Sequence, residues 1–206
     1  ADRRIAQDWA HALRAVHPHI DDDIEACLTR LSTCPSYLPK DEGRIWRAYE
    51  QPFAALRVLI LGQDPYPNEK HAVGLAFSTG PNGPIPSSLQ NIYDELEDSG
   101  YQRPGHGNLS AWTERGVMLL NRALTVPVDP GAGPRVHFRW WKPIITATMQ
   151  AIAVEADKRM STQGGRKRRI AALVWGVKAQ RMKVHLGDHV HVITSSHPSP
   201  QSVRRM

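Results

Sequence analysis

The stretch Gly62-Gln63-Asp64-Pro65-Tyr66-Pro67 sets an amide, a carboxylate and a phenol on a short segment stiffened by two prolines, directly after the apolar run "LRVLIL". Far along the chain, Ser195-Ser196-His197-Pro198-Ser199-Pro200 follows another β-branched run and carries an imidazole. An Asp and a His held across one cleft suit general acid–base or electrostatic catalysis. Asn121 comes straight after "VMLL". Its amide offers both a donor and an acceptor, the complement of a pyrimidine's imide face. Phe77 in "GLAFSTG" and Tyr66 offer flat walls for stacking. For one aromatic residue core packing is the plainer account, and it is weaker for Tyr66, which lies between Pro65 and Pro67.

Other chemistries lose ground on the same reading. No Gly-x-Ser-x-Gly elbow occurs, which disfavours a serine hydrolase. Neither a phosphate loop nor a Gly-x-Gly-x-x-Gly after a strand is present, so nucleoside triphosphates and nicotinamides lose support. His185, His189 and His191 have no carboxylate or Cys at ligand spacing, and a solvated strand end explains them better than a metal. Asp21-Asp22-Asp23 reads as an acidic helix start. Cys27 and Cys34 are too few for a four-thiolate cluster and read as reduced thiols.

Elements must bring these groups together. The chain of 206 residues is long enough for one domain with a full core, and 41% of it is apolar. Four short segments have the length and composition of buried strands: Val58–Leu61, Val117–Leu120, Ile170–Val174 and Val190–Thr194. Helical spacing lies between them over Ser88–Leu96, with Ser87 or Ser88 as cap, over Ile144–Met160 and over Lys178–Leu186. The N-terminal third, with Trp9, Leu13, Ile24, Leu28 and Leu31, is also helical in pattern. Strands alternating with helices predict a three-layer α/β/α fold on a central, mainly parallel four-stranded sheet, in a single domain over residues 1–206. In such sheets ligands bind beyond the carboxyl ends of the strands. Asp64, Asn121, Trp175-Gly176 and His197 follow those ends, so they are expected to share one cleft.

The formal charge of +6 suits a polyanion such as nucleic acid. Arg166-Lys167-Arg168-Arg169 is either a solvated loop or a DNA contact. No apolar run reaches the roughly 20 residues of a membrane span. The charged N-terminus lacks the apolar centre of a secretory signal, and a cytoplasmic protein is expected.

The motifs "GQDPYP", "GLAFS", "PSSLQNIYDEL", "GVMLLNRALTV", "VWGVKAQ" and "HPSPQS", spread from about Tyr37 to Ser202, resemble those of family-1 uracil-DNA glycosylases. "GQDPY" at one strand end and "HPSP" at another form a specific pair. The resemblance implies a monomeric enzyme without metal or organic cofactor. Its implied reaction is hydrolysis of the N-glycosidic bond of uracil flipped out of single- or double-stranded DNA. It implies that Asp64 orients water and stabilises a positive sugar, while His197 hydrogen-bonds uracil O2. Gln63 and Asp64 would add backbone N–H groups. Asn121 would read O4 and N3, Phe77 would stack, and Tyr66 would occupy the place of thymine's methyl. Pro84, Pro86 and Ser88 would form a phosphate-gripping loop, Ser199 would take another phosphate, and Gln201 would enter the gap in the stack. For Ser87, capping the helix is the stronger reading. The phage-encoded inhibitor that mimics DNA is an implied partner.

The chain departs from that family pattern in several places. Pro67 follows the Tyr where many relatives carry His, and Gln201 replaces the usual Leu wedge. An amide costs more to desolvate than an apolar side chain, which predicts weaker action on double-stranded than on single-stranded DNA. Val177 stands where a Ser often grips phosphate. The span Val128–Trp141 matches irregularly, and His137 receives no role. The chain ends at Met206, where the resemblance implies a further loop and helix; Arg204 and Arg205 are either phosphate contacts or a frayed tail. A uracil-DNA binding protein with little turnover remains open, as does a glycosylase of altered base choice. Asp64 with His197 argues against the first, and Tyr66 with Asn121 against the second.

Overall fold

The computed structural model describes residues 5–129, 135–161 and 169–203. The basic run through Arg168, and Arg204 and Arg205, lie outside them. Two helices come first, α1 (Gln7–Val16) and α2 (Ile20–Ser32), with Asp21, Asp22 and Asp23 in the first turn of α2. There follow β1 (Tyr37–Leu38), α3 (Glu42–Ile45), β2 (Val58–Gly62), α4 (Ser87–Asp98), α5 (Ser110–Thr113) and β3 (Val117–Asn121). The remainder is β4 (Val126–Pro127), α6 (Arg135–Ser161), β5 (Ala171–Trp175), α7 (Val177–Gln180), β6 (His191–Ser195) and α8 (Pro200–Val203).

The four expected strands form one parallel sheet in the order β3-β2-β5-β6, flanked by helices. β2 and β3 are buried along nearly their whole length, which is why both read as unbroken apolar runs rather than alternating ones. β6 lies at the edge and is largely exposed. Each strand runs one residue further than its apolar run, so Gly62, Asn121, Trp175 and Ser195 are its last rungs. The ladder pairs Gly62 with Asn121, and Trp175 with Ser195. All four strand ends therefore open on one edge.

Three helix expectations need correcting. α4 begins at Ser87 with Pro86 as its cap residue, and no side chain caps it. Neither Ser87 nor Ser88 is the cap: both lie inside the first turn, and the fixed φ of Pro86 sets the entry. α6 starts at Arg135, nine residues before Ile144, and runs through Pro143. Packing outweighs the proline: Trp141 is wholly buried and its Nε1 donates to Thr125 Oγ1 at 2.7 Å. The span Lys178–Leu186 divides into α7 and a 3₁₀ turn at Lys183–His185. The two-stranded antiparallel pair of β1 and β4 was not expected at all; each strand has only two residues, too few to show a period.

The core is aromatic on the helical side. Trp9, Trp46, Tyr49 and Trp141 are essentially inaccessible and pack edge to face or tilted at 5.3–5.9 Å between centroids. Cys27 is a free, buried thiol whose pKa burial pushes up to about 12, so it stays protonated and acts as a small apolar group. His189 is held by Asp157 at 2.8 Å, and no group of three His, Cys, Asp or Glu among the described residues is arranged to hold a metal.

Candidate active site

Each strand end delivers one part of a single cavity of about 1040 Å³. Gln63, Asp64 and Tyr66 come from β2, Asn121 from β3, Trp175 and Gly176 from β5, and His197 from β6. Phe77 and Ser88 enter from the crossover between β2 and β3, and Ser199 from the turn into α8. Of the residues singled out in the sequence, Pro84, Pro86 and Gln201 do not line this cavity. They stand outside it, Pro84 and Pro86 just before α4 and Gln201 on α8.

The β2 turn is held by the neighbouring strand. Arg122 N–H donates to the Gly62 carbonyl at 3.1 Å, and Ala123 N–H to that of Gln63 at 3.2 Å. Asp64 is partly buried, and that burial pushes its pKa above the ordinary value. The Gln63 side chain and the charges of Lys178 and Arg122 pull the other way. The Arg122 guanidinium lies 5.0 Å over the Phe138 ring, and its Nε is buried without a hydrogen-bond partner.

His197 has a defined tautomer. Its Nδ1 accepts the Ser199 N–H at 3.1 Å. A neutral ring that accepts at Nδ1 carries its proton on Nε2. Burial, and then the charge of Lys178, hold its pKa below the usual imidazole value, so the ring is neutral near pH 7. Gly176 makes room for it: with φ 83°, a Cβ there would meet His197 Cβ at 2.9 Å. The loop is tied on both sides. Asn91 Nδ2 donates to the Pro198 carbonyl at 2.7 Å, and Gln180 Nε2 to the Ser195 carbonyl at 2.8 Å.

The flat walls are built at some cost. Phe77 takes φ 64°, a left-handed conformation that is rare for a bulky residue and costs about 1–3 kcal/mol. Its ring meets Trp175 edge to face at 5.5 Å and lies 6.0 Å from the His197 ring. The Phe77 carbonyl accepts the Tyr66 hydroxyl at 3.3 Å. Burial raises the Tyr66 pKa, so the phenol stays a donor, and His71 packs on its edge at 5.9 Å. Asn121 is 6% exposed, and its place depends on the bare backbone of Gly62.

His137 stands apart from this cavity. It is buried between Thr125 Oγ1 at 2.8 Å, the stacked Trp140 ring and, at 3.9 Å, Cys34 Sγ. Burial lowers its pKa, and the ring supports the wall segment from Val126 rather than facing the cleft. Sequence reasoning passed over His71, Asn91, Arg122, Lys178 and Gln180. Asn91 had a signal, since it lies three residues after Ser88 and so shares its helix face. The others follow from close approach between segments distant in sequence.

The strand ends of this parallel sheet thus converge on an Asp, a neutral His, a buried Asn and an aromatic wall. The uracil DNA glycosylase superfamily profile matches residues 50–206, and the chain belongs to that superfamily. A uracil-DNA glycosylase of a Nocardioides species is 42% identical over 203 residues, which are 98% of this chain and 82% of that protein. The crystal structure of mimivirus uracil-DNA glycosylase superposes with a TM-score of 0.75 at 26% identity, over 97% of this chain and 71% of that one. A tyrosine variant of mimivirus UNG in complex with UGI gives 0.76 at 25% identity, over 97% and 73%.

Proposed function

We propose that this glycosylase extrudes deoxyuridine from single- or double-stranded DNA, seats the base in the cavity and hydrolyses its N-glycosidic bond, leaving the abasic site that opens base-excision repair. The observation that carries the reading is the shared cavity: Asp64, Tyr66, Phe77, Asn121 and His197 come from four separate segments and line one space.

As the C1′–N1 bond breaks, its electron pair leaves with the base and charge gathers on O2. His197 offers Nε2–H to that oxygen without losing its own proton. Such a donor is typically worth roughly 3–4 kcal/mol. Backbone N–H groups of Gln63 and Asp64 support it. The sugar becomes positive, and ionised Asp64 stabilises it and orients the water that attacks C1′. Asn121 pairs with N3 and O4, and cytosine meets it with a mismatched donor. Phe77 stacks on the ring, and Tyr66 fills the space a thymine methyl needs. No metal or organic cofactor is required.

At the rim of the cavity, Ser88 in the first turn of α4, behind the stiff Pro84–Pro86 loop, takes one backbone phosphate, and Ser199 another. Gln201, exposed on α8, fills the gap left by the flipped base. The structure of mimivirus UNG in complex with UGI supports a similar inhibitor surface on this chain. Residues 1–206 act as a single, monomeric domain. The same reading puts the protein in the cytoplasm; no helix among the described residues is long and apolar enough to cross a membrane.

The test is uracil release from a single-uracil oligonucleotide in EDTA, in both strand forms, beside Asp64→Asn. Release that collapses in the variant is expected. Tight uracil-DNA binding by a parent that releases nothing would move the chain to the class of binding proteins.

A further inference from the structure

We propose that Lys178 holds a backbone phosphate of bound DNA at the rim of the cleft, beside the extruded nucleotide. The inference rests on the reading of the cavity as a uracil-DNA site. The cavity has two carboxylates in its lining, Asp64 and Asp129, and Lys178 is its only Lys or Arg. A polyanion entering this mouth therefore meets Lys178 as the cation of its described lining. The +6 of the whole chain acts weakly there, because charges beyond about 8 Å are screened at physiological salt. Among the described residues of the lining, only Lys178 brings a cation to the rim.

Lys178 is set for that task. It is exposed on α7, two residues after Gly176. The Gly176 N–H and the Gln180 side chain both donate to the Ser195 carbonyl, at 2.9 and 2.8 Å. The base of Lys178 is thus locked to the strand that leads to His197. Its neighbour Val177, 69% exposed, offers no polar side-chain atom. Among the described residues Lys178 makes no ion pair or hydrogen bond, so its ammonium remains free for a ligand. Arg122, by contrast, is engaged over Phe138. Lys178 lines the same cavity as Asp64 and His197. The other titratable groups facing the cavity are Tyr66, His71 and Asp129. Ser88 and Ser199 supply hydroxyls to the same cavity.

The experiment measures binding of the full chain, Lys178→Ala and Lys178→Arg to a single-stranded oligonucleotide carrying an uncleavable deoxyuridine analogue, across a NaCl series. One phosphate contact contributes roughly 0.7 to the slope of log affinity against log salt on single strands. The Ala variant is expected to lose about that much slope, and the Arg variant to regain it. A fold-only role would leave the slope unmoved. An Ala variant with the parent's slope overturns the assignment of Lys178, whereas a parent that releases no uracil overturns the glycosylase reading instead.

Discussion

A methyl group added to Gly62 would stand 2.3 Å from Oδ1 of Asn121 and 2.9 Å from Cβ of Ala76. The two residues face each other as the last rung of the β2–β3 ladder. The Asn121 amide, proposed above to read the base, therefore occupies space that only a glycine on the neighbouring strand leaves open. Gly176 does the same for His197.

Gly62→Ala is expected to displace the Asn121 amide while the sheet survives. A displacement of about 1 Å at a reacting site can cost roughly 10²-fold in rate. Single-turnover uracil release should fall by about that factor with the circular dichroism spectrum unchanged. An unchanged rate would mean that Asn121 does not hold the base.

Activity should depend on pH through two groups that both fail on the acid side. Asp64 must be ionised, and burial raises its pKa above 3.8. His197 must be neutral, and burial with Lys178 keeps its pKa below 6.5. Falling pH protonates both. The kcat profile should fall on an acid limb lying above 3.8, set by whichever of the two groups protonates first. A limb at or below 3.8 would contradict the raised Asp64 carboxyl.

Ionised Asp64 should also burden the fold. Its folded pKa is raised, so the stability it contributes is present below the unfolded value and lost as pH rises through the folded one. Asp64→Asn removes that loss. The variant should melt higher than the parent at pH 7, by about 2–4 °C for each kcal/mol relieved. The gap should close as pH falls below 3.8. Equal melting temperatures at pH 7 would argue against a partly buried, ionised carboxylate.

Gln201 is exposed on α8, where its amide meets the DNA stack only by shedding water. Gln201→Leu is expected to raise the ratio of double-stranded to single-stranded uracil release several-fold. Steady-state rates on matched oligonucleotides decide it, and an unchanged ratio removes the wedge role.

Much of this site was readable before any coordinates because its parts lie at strand ends. A buried parallel strand announces itself by composition, and the polar residues just after Leu61, Leu120, Val174 and Thr194 then have one place to go. What escaped has a common cause. The left-handed backbone of Phe77 and the Gln180 contact with the Ser195 carbonyl are set by segments packed against each other, and no local pattern records them. The early start of α6 was hidden by Pro143, whose local effect is overruled by the burial of Trp141. The cap of α4 is not legible locally, because Ser87 and Ser88 have cap chemistry while Pro86, which has none, takes the position.

The hydrogen bond from Asn91 to the Pro198 carbonyl joins the helix nearest the Pro84–Pro86 loop to the loop that carries His197. α4 also packs against α8, and this amide is the side-chain hydrogen bond that ties the two jaws among the described residues. Loosening it would leave every strand in place and still alter the calibre of the mouth. A substitution at Asn91 is therefore expected to change how the mouth meets single- and double-stranded DNA while the fold stays intact.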